Sequence, residues 1–219
     1  MQGLETDSQT DLDADGRAVA DRGEQISLME PLRLSGVSRH RETLTDLAVE
    51  LARRAEGFRR SLPDGVLTAL ADLVRAMNCY YSNLIEGHNT HPVDIERALK
   101  DDYSANPEKR NLQQEARAHI EVQQWIDAGG LRGRTVSMEG ICEIHRRFGE
   151  KLPDDLLTVT EPDTGSAERV VPGALRSRDV QVGRHIPPSP AAIPRFLERF
   201  AEVYGGLGKA ETILATIEG

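Results

Sequence analysis

From Val66 to Ile85 apolar side chains return at every third or fourth position: Val66, Leu70, Leu73, Met77, Tyr80 and Leu84, widened by Leu67, Val74, Tyr81 and Ile85. Steps that alternate between four and three predict a helix with one wide buried face. A face of that width needs other helices to cover it, and the same spacing recurs along the chain. Leu44, Leu47, Ala48, Leu51 and Ala55 predict a helix between Ser38 and Arg60, ended by Ser61-Leu62-Pro63-Asp64-Gly65. Thr90, read as an N-cap with Pro92 behind it, opens a short helix to about Leu99. Leu112, Ala116, His119, Ile120 and Ile126 predict one over Lys109 to Asp127, stopped by Gly129-Gly130. Ser137 caps a helix bearing Ile141, Ile144, His145 and Phe148, which Pro153 closes. Ser189-Pro190 starts another with Ile193, Phe196, Leu197, Phe200, Val203 and Tyr204 on one side. After Gly205-Gly206, the residues Ala210, Ile213, Leu214 and Ile217 begin a last helix whose apolar face looks cut short at Gly219. The fold class is mostly α.

Thr164 to Pro190 breaks the pattern. Val170, Val171, Val180 and Val182 around Pro172-Gly173 predict a small β-hairpin. The segment from Met1 to about Ser27 reads as a solvated tail, since its acids leave too little apolar surface to offset the entropy of ordering. The 219 residues carry a net charge of −9. No basic run offsets it, which argues against a dedicated nucleic-acid binder. With no apolar stretch of about 20 residues and no signal peptide, a cytoplasmic protein without a membrane anchor is expected. Cys79 and Cys142 fall in helical patterns far from any metal-ligand spacing and read as free, buried thiols, with a single structural disulfide as the alternative.

Two constellations stand out for chemistry. Ser82-Asn83-Leu84-Ile85-Glu86-Gly87 closes the second long helix; Ser82 and Glu86 share a face, and a carboxylate at the negative end of the helix dipole calls for a cationic partner. Gly87 can take the left-handed conformation that ends a helix. From spacing alone, an ordinary surface glutamate before a capping glycine is the favoured reading. The second runs through Pro172, Gly173 and Arg176 to Val180, Gln181, Val182 and Gly183, with His185 behind. Its glycines and prolines bracket an edge-like strand able to take up an extended peptide, or one that merely connects two helices. Other candidates fail on chemistry. His88 and His91 have no third ligand, which leaves no metal site. Gly205 to Ala210 lacks the first glycine and the final hydroxyl of a phosphate loop. His145 reads as a packed, hydrogen-bonded histidine, not a base.

On these two constellations the sequence resembles the Fic family of AMP-transferring proteins, over roughly Ser38 to the end. Ser82 to Gly87 matches that family's inhibitory-helix pattern, and Pro172 to Pro188 matches its target-registering flap. The resemblance implies a Fic-type helical bundle with a hairpin flap: an acidic tail over residues 1–37, a helical region with the inhibitory helix over 38–105, and an incomplete Fic core over 106–219. It implies ATP with magnesium as cofactor in full-length members and transfer of AMP to a target-protein hydroxyl. Glu86 would be the brake on the arginine that holds the triphosphate. Ser82, Asn83 and Gly87 would shape the nucleotide side, and Pro172, Gly173, Arg176, Val180, Gln181, Val182, Gly183 and His185 would dock the target.

The family's motif of histidine, phenylalanine and an acid-glycine-asparagine-glycine-arginine loop does not occur in this sequence, and its expected place lies beyond Gly219. Hence no residue is assigned as catalytic, and this chain is expected neither to transfer AMP nor to hold ATP tightly. The leading expectation is the front part of an AMP-transferring enzyme. Alternatives are an interaction protein that inhibits a partner Fic enzyme in trans, and an inactive remnant. Self-association is left open.

Overall fold

The computed structural model describes residues 20–218, apart from 31–32, 89, 161–164, 166 and 182. Seven α-helices occur among them: α1 (Arg41–Ser61), α2 (Asp64–Ile85), α3 (Pro92–Leu99), α4 (Pro107–Asp127), α5 (Met138–Gly149), α6 (Ile193–Gly205) and α7 (Lys209–Glu218). Two short strands, β1 (Thr158–Thr160) and β2 (Ala167–Arg169), pair antiparallel with Thr158 opposite Arg169 and Thr160 opposite Ala167. The mostly helical class follows from the sequence periods, and no helix among the described residues is long and apolar enough to cross a membrane.

Local chemistry sets several boundaries. Asn106 accepts a hydrogen bond from the Lys109 backbone N–H at 3.1 Å and starts α4. Ser137 accepts one from Gly140 N–H at 3.1 Å and starts α5, as its sequence position predicts. At Gly140 a Cβ would stand 1.8 Å from the Arg134 carbonyl oxygen, so only glycine lets the preceding turn close against the helix.

The centre lies where α2, α3 and α4 meet. Cys79, Ile95, Ala116 and Ile120 are buried together, with Ala76 and Tyr80 packed against them. Small residues at Ala76, Cys79 and Ala116 let the helices approach closely. The Cys79 thiol lies 3.7 Å from the Ala116 carbonyl, and burial, reinforced by the nearby Glu115 charge, pushes its pKa up to about 12. Both cysteines are free thiols; Cys79 is buried and Cys142 partly so. From α4 the packing continues to α5 and then to α6, while α7 lies on the first half of α1 and buries Leu214 and Ala215.

A polar bracket locks this centre. Gln113 of α4 is fully buried; its side-chain amide donates to the carbonyls of Asp94 and Asp102 at 3.2 and 3.3 Å, and its oxygen accepts from Ser104 N–H at 2.7 Å. The buried carboxylate of Asp94, in the first turn of α3, meets Lys109 Nζ at 2.9 Å. Both groups satisfy the requirement that a buried polar atom keep a partner.

Four expectations are corrected. The wide stripe on α2 is not its buried face: Cys79 and Asn83 are the buried residues, whereas Val66, Leu70, Leu73, Val74, Tyr81, Leu84 and Ile85 are exposed. Neighbouring helices approach the side with small residues because only there can backbones come close, and α2 is apolar enough on both sides for either to serve. Second, the strands are β1 and β2, not Val170 and Val171 with Val180; Val182 lies outside the described residues. Third, His91, not Thr90, occupies the N-cap of α3, and the buried Thr90 hydroxyl is turned toward α2. Fourth, the acidic tail does not remain solvated throughout. Residues 20–30 lie against α6: Asp21 pairs with Arg195 at 2.6 Å and Glu30 pairs with Arg199. Residues 1–19 lie outside the described residues.

Candidate functional site

The end of α2 is built from backbone outward. Gly87 takes φ +79°, its N–H donates to the Leu84 carbonyl at 3.2 Å, and His88 N–H donates to the Asn83 carbonyl at 2.7 Å. This pair of bonds is the closing pattern of a helix whose next residue must be left-handed, which accounts for the glycine predicted there. Behind it the buried Asn83 amide donates to Thr90 Oγ1 at 3.2 Å and fixes the turn from α2 into α3. Ser82 and Glu86 are both exposed. Glu86 occupies the C-cap position, and among the described residues no cation stands within ion-pair distance of its carboxylate. The His88 imidazole instead meets Glu115 at 3.4 Å.

The flap segment is anchored to α5, not to α2. Pro172 packs on Gly149, where an added Cβ would approach within 2.9 Å. Gly173 has φ +86°, and its N–H donates to His145 Nδ1 at 3.0 Å. His145 is thus a hydrogen-bonded structural residue, as its sequence context suggests. The guanidinium of Arg176 is also committed: it donates to the carbonyl of Arg178 at 2.7 Å and to that of Pro188. Val180, Gln181, Gly183 and His185 are exposed, with Gly183 at φ +59° and the Gln181 amide donating to its carbonyl at 2.7 Å. Val182 is not among the described residues. The structure therefore holds the two constellations on different helices, and no hydrogen bond or ion pair joins them among the described residues.

One element of this region escapes sequence reading. Glu24 accepts from both the backbone N–H and the hydroxyl of Ser189, at 2.6 and 2.9 Å, and Arg22 forms a two-pronged pair with Asp179 at 3.0 Å. The Arg195 guanidinium, with the Gly23 N–H, holds the Asp21 carboxyl down at about 2. Residues 21–24 thereby clasp the far end of the flap segment to the start of α6. The signal was present as acids at 21, 24 and 30 and arginines four apart at 195 and 199, but nothing local couples them.

No group of three or more metal-ligating side chains occurs among the described residues. Comparison with protein families, with curated proteins and with solved structures finds no match to this chain.

Proposed function

We propose that this chain carries the inhibitory-helix and target-flap portion of a Fic-type AMP-transferring protein. One observation carries the reading. The pattern Ser82-x-x-x-Glu86-Gly87 falls on a helix end closed by Gly87 and tied by the Asn83–Thr90 bond, which presents a carboxylate that has no cation within ion-pair distance among the described residues. A solvent-facing carboxylate on a helix end of defined backbone geometry suits a group whose partner is an arginine elsewhere. In the reaction the reading implies, a protein hydroxyl attacks the α-phosphorus of magnesium-bound ATP. Pyrophosphate leaves, and a histidine base takes the hydroxyl proton. The base and the phosphate-holding loop do not occur in these residues, so the chain contributes restraint and target positioning, not turnover.

The test joins this chain to a Fic-type catalytic helix and loop and follows label from ATP into protein. Glu86→Gly raises incorporation at least ~10-fold, the effect of freeing one charge-aligning group. Equal rates with and without the carboxylate reject the brake. A second reading, restraint of a separate transferase in trans, draws on Leu84 and Ile85, exposed beside Glu86. It requires that the purified chain slow an active Fic-type enzyme in proportion to dose and that Glu86→Gly abolish the effect.

A further inference from the structure

Residues 20–30 lie across the flap segment and α6 with no regular structure of their own beyond one turn of 3-10 helix, Ile26–Met29, whose N-cap Gln25 makes no capping bond. Charge does most of the holding. Arg22 reaches Asp179 in the flap through both terminal guanidinium nitrogens, and Asp21 reaches Arg195 of α6 at 2.6 and 2.9 Å. Glu24 takes the Ser189 N–H and hydroxyl and stands 3.6 Å from Arg195, while Glu30 takes Arg199, which also meets Glu202 of its own helix. The signs alternate along this segment and along its seat. A slip of one residue either way sets like charges opposite, Asp21 on Asp179 or Arg22 on Arg195, so the seat fits a single register.

The same contacts are weak ones. Arg22 and Asp179 are 48 and 61% exposed, a setting in which an ion pair contributes little and is screened by salt. Ile26 is the one apolar side chain described in the segment that is partly buried. Against these contacts stands the conformational freedom of the whole stretch, so it opens at a small fraction of the free energy that unfolds the helices. The flap depends on it unevenly. Its near end has an anchor of its own, Gly173 N–H on His145 and Pro172 on Gly149. Beyond bonds internal to the flap, residues 177–181 are tied among the described residues by Arg178 to Glu168 of β2 at 3.0 Å and by Asp179 to Arg22.

We propose that residues 20–30 are a salt-releasable strap on the flap. Seated, the strap locks residues 177–181 to the start of α6 and covers the Ser189 hydroxyl, which leaves Ser189 only 1% exposed. Released, it frees that stretch and uncovers the hydroxyl, while α6 and the anchor on α5 stay in place. The lock acts on the flap whatever the flap engages, so it does not rest on the AMP-transfer reading.

Backbone order parameters from nuclear magnetic resonance of the 219-residue chain test this. In ~0.1 M salt, residues 21–24 and 177–181 should both lie near the rigid value of about 0.85; in ~1 M salt, where the screening length falls to about 3 Å, both should drop below about 0.6 while α4 and α6 stay rigid. Asp21→Asn with Glu24→Gln, which leaves the flap's own residues untouched, should produce the same drop in both stretches at the lower salt. Arg22→Asp should do so too, and Arg22→Asp with Asp179→Arg should restore most of the order, since that pair is only reversed. A strap that loosens while residues 177–181 stay rigid overturns the proposal. So do stretches that are mobile at the lower salt, or rigid under every condition and in every variant. Loosening of 177–181 by salt but not by the strap variants assigns the effect to Arg178 and Glu168 and overturns it likewise. Loss of order in α6 together with the strap overturns it as well, because the segment would then belong to the core.

Discussion

Two sides of one helix behave oppositely. Toward α3 and α4, α2 presents Ala76, Cys79, Tyr80 and Asn83, with the Cys79 thiol beside the Ala116 carbonyl and the Asn83 amide bonded to Thr90. Away from them it presents larger residues, Leu70, Leu73, Val74 and Ile85, to solvent, the last 84% exposed. The more hydrophobic side is the less buried one. Helix association is governed by how closely backbones approach and by which polar groups must be satisfied, and a large apolar stripe by itself does not decide which side turns inward.

The contrast is broken most severely at Gln113. Gln113→Ala leaves two carbonyls and an N–H without partners in a buried setting and should cost about 3 kcal/mol or more of unfolding free energy, read from urea titration. A loss under 1 kcal/mol would mean that the bracket is dispensable. Next comes a matched pair: Ile120→Ala, inside, should cost about 3 kcal/mol, whereas Leu73→Ala, outside, should cost well under 1 kcal/mol. Equal losses would erase the distinction between the two sides. The smallest effect concerns His119 on α4, whose pKa burial lowers. A histidine held neutral in the fold contributes stability that is complete above the unfolded value of about 6.5 and is lost as pH falls through that value toward the folded one. The melting temperature should fall between pH 7 and 5, less steeply in His119→Gln.

Helix existence was legible in the periods, and so were the ends that depend on one residue's chemistry, such as Ser137 as a cap and Gly87 as a left-handed stop. Which face of α2 turns inward was not legible, because both faces are apolar and the choice is made by the close approach that Ala76 and Cys79 allow against Ala116 of α4. Gln113 carries no pattern at all: a polar side chain becomes central only when Asp94, Ser104 and Asp102 are brought around it. Thr90 looked like a cap because it precedes a proline helix start, yet its hydroxyl serves the buried Asn83. At the candidate site, the Glu86 motif was readable as residues and as a helix end. The hairpin strands were displaced toward the preceding segment, and the anchoring of Pro172 and Gly173 on α5 depends on Gly149 and His145, far off in sequence.

The clasp of Glu24 on Ser189 joins points 165 residues apart and makes the described chain almost a closed ring. A ring closed by a few polar contacts gathers too little free energy to form before the helices that span it, since the entropy of closing so long a loop must first be offset by structure in between. In refolding, helical signal should therefore precede protection of residues 21–24, and this stretch, though earlier in the chain than every α-helix, should be fastened last.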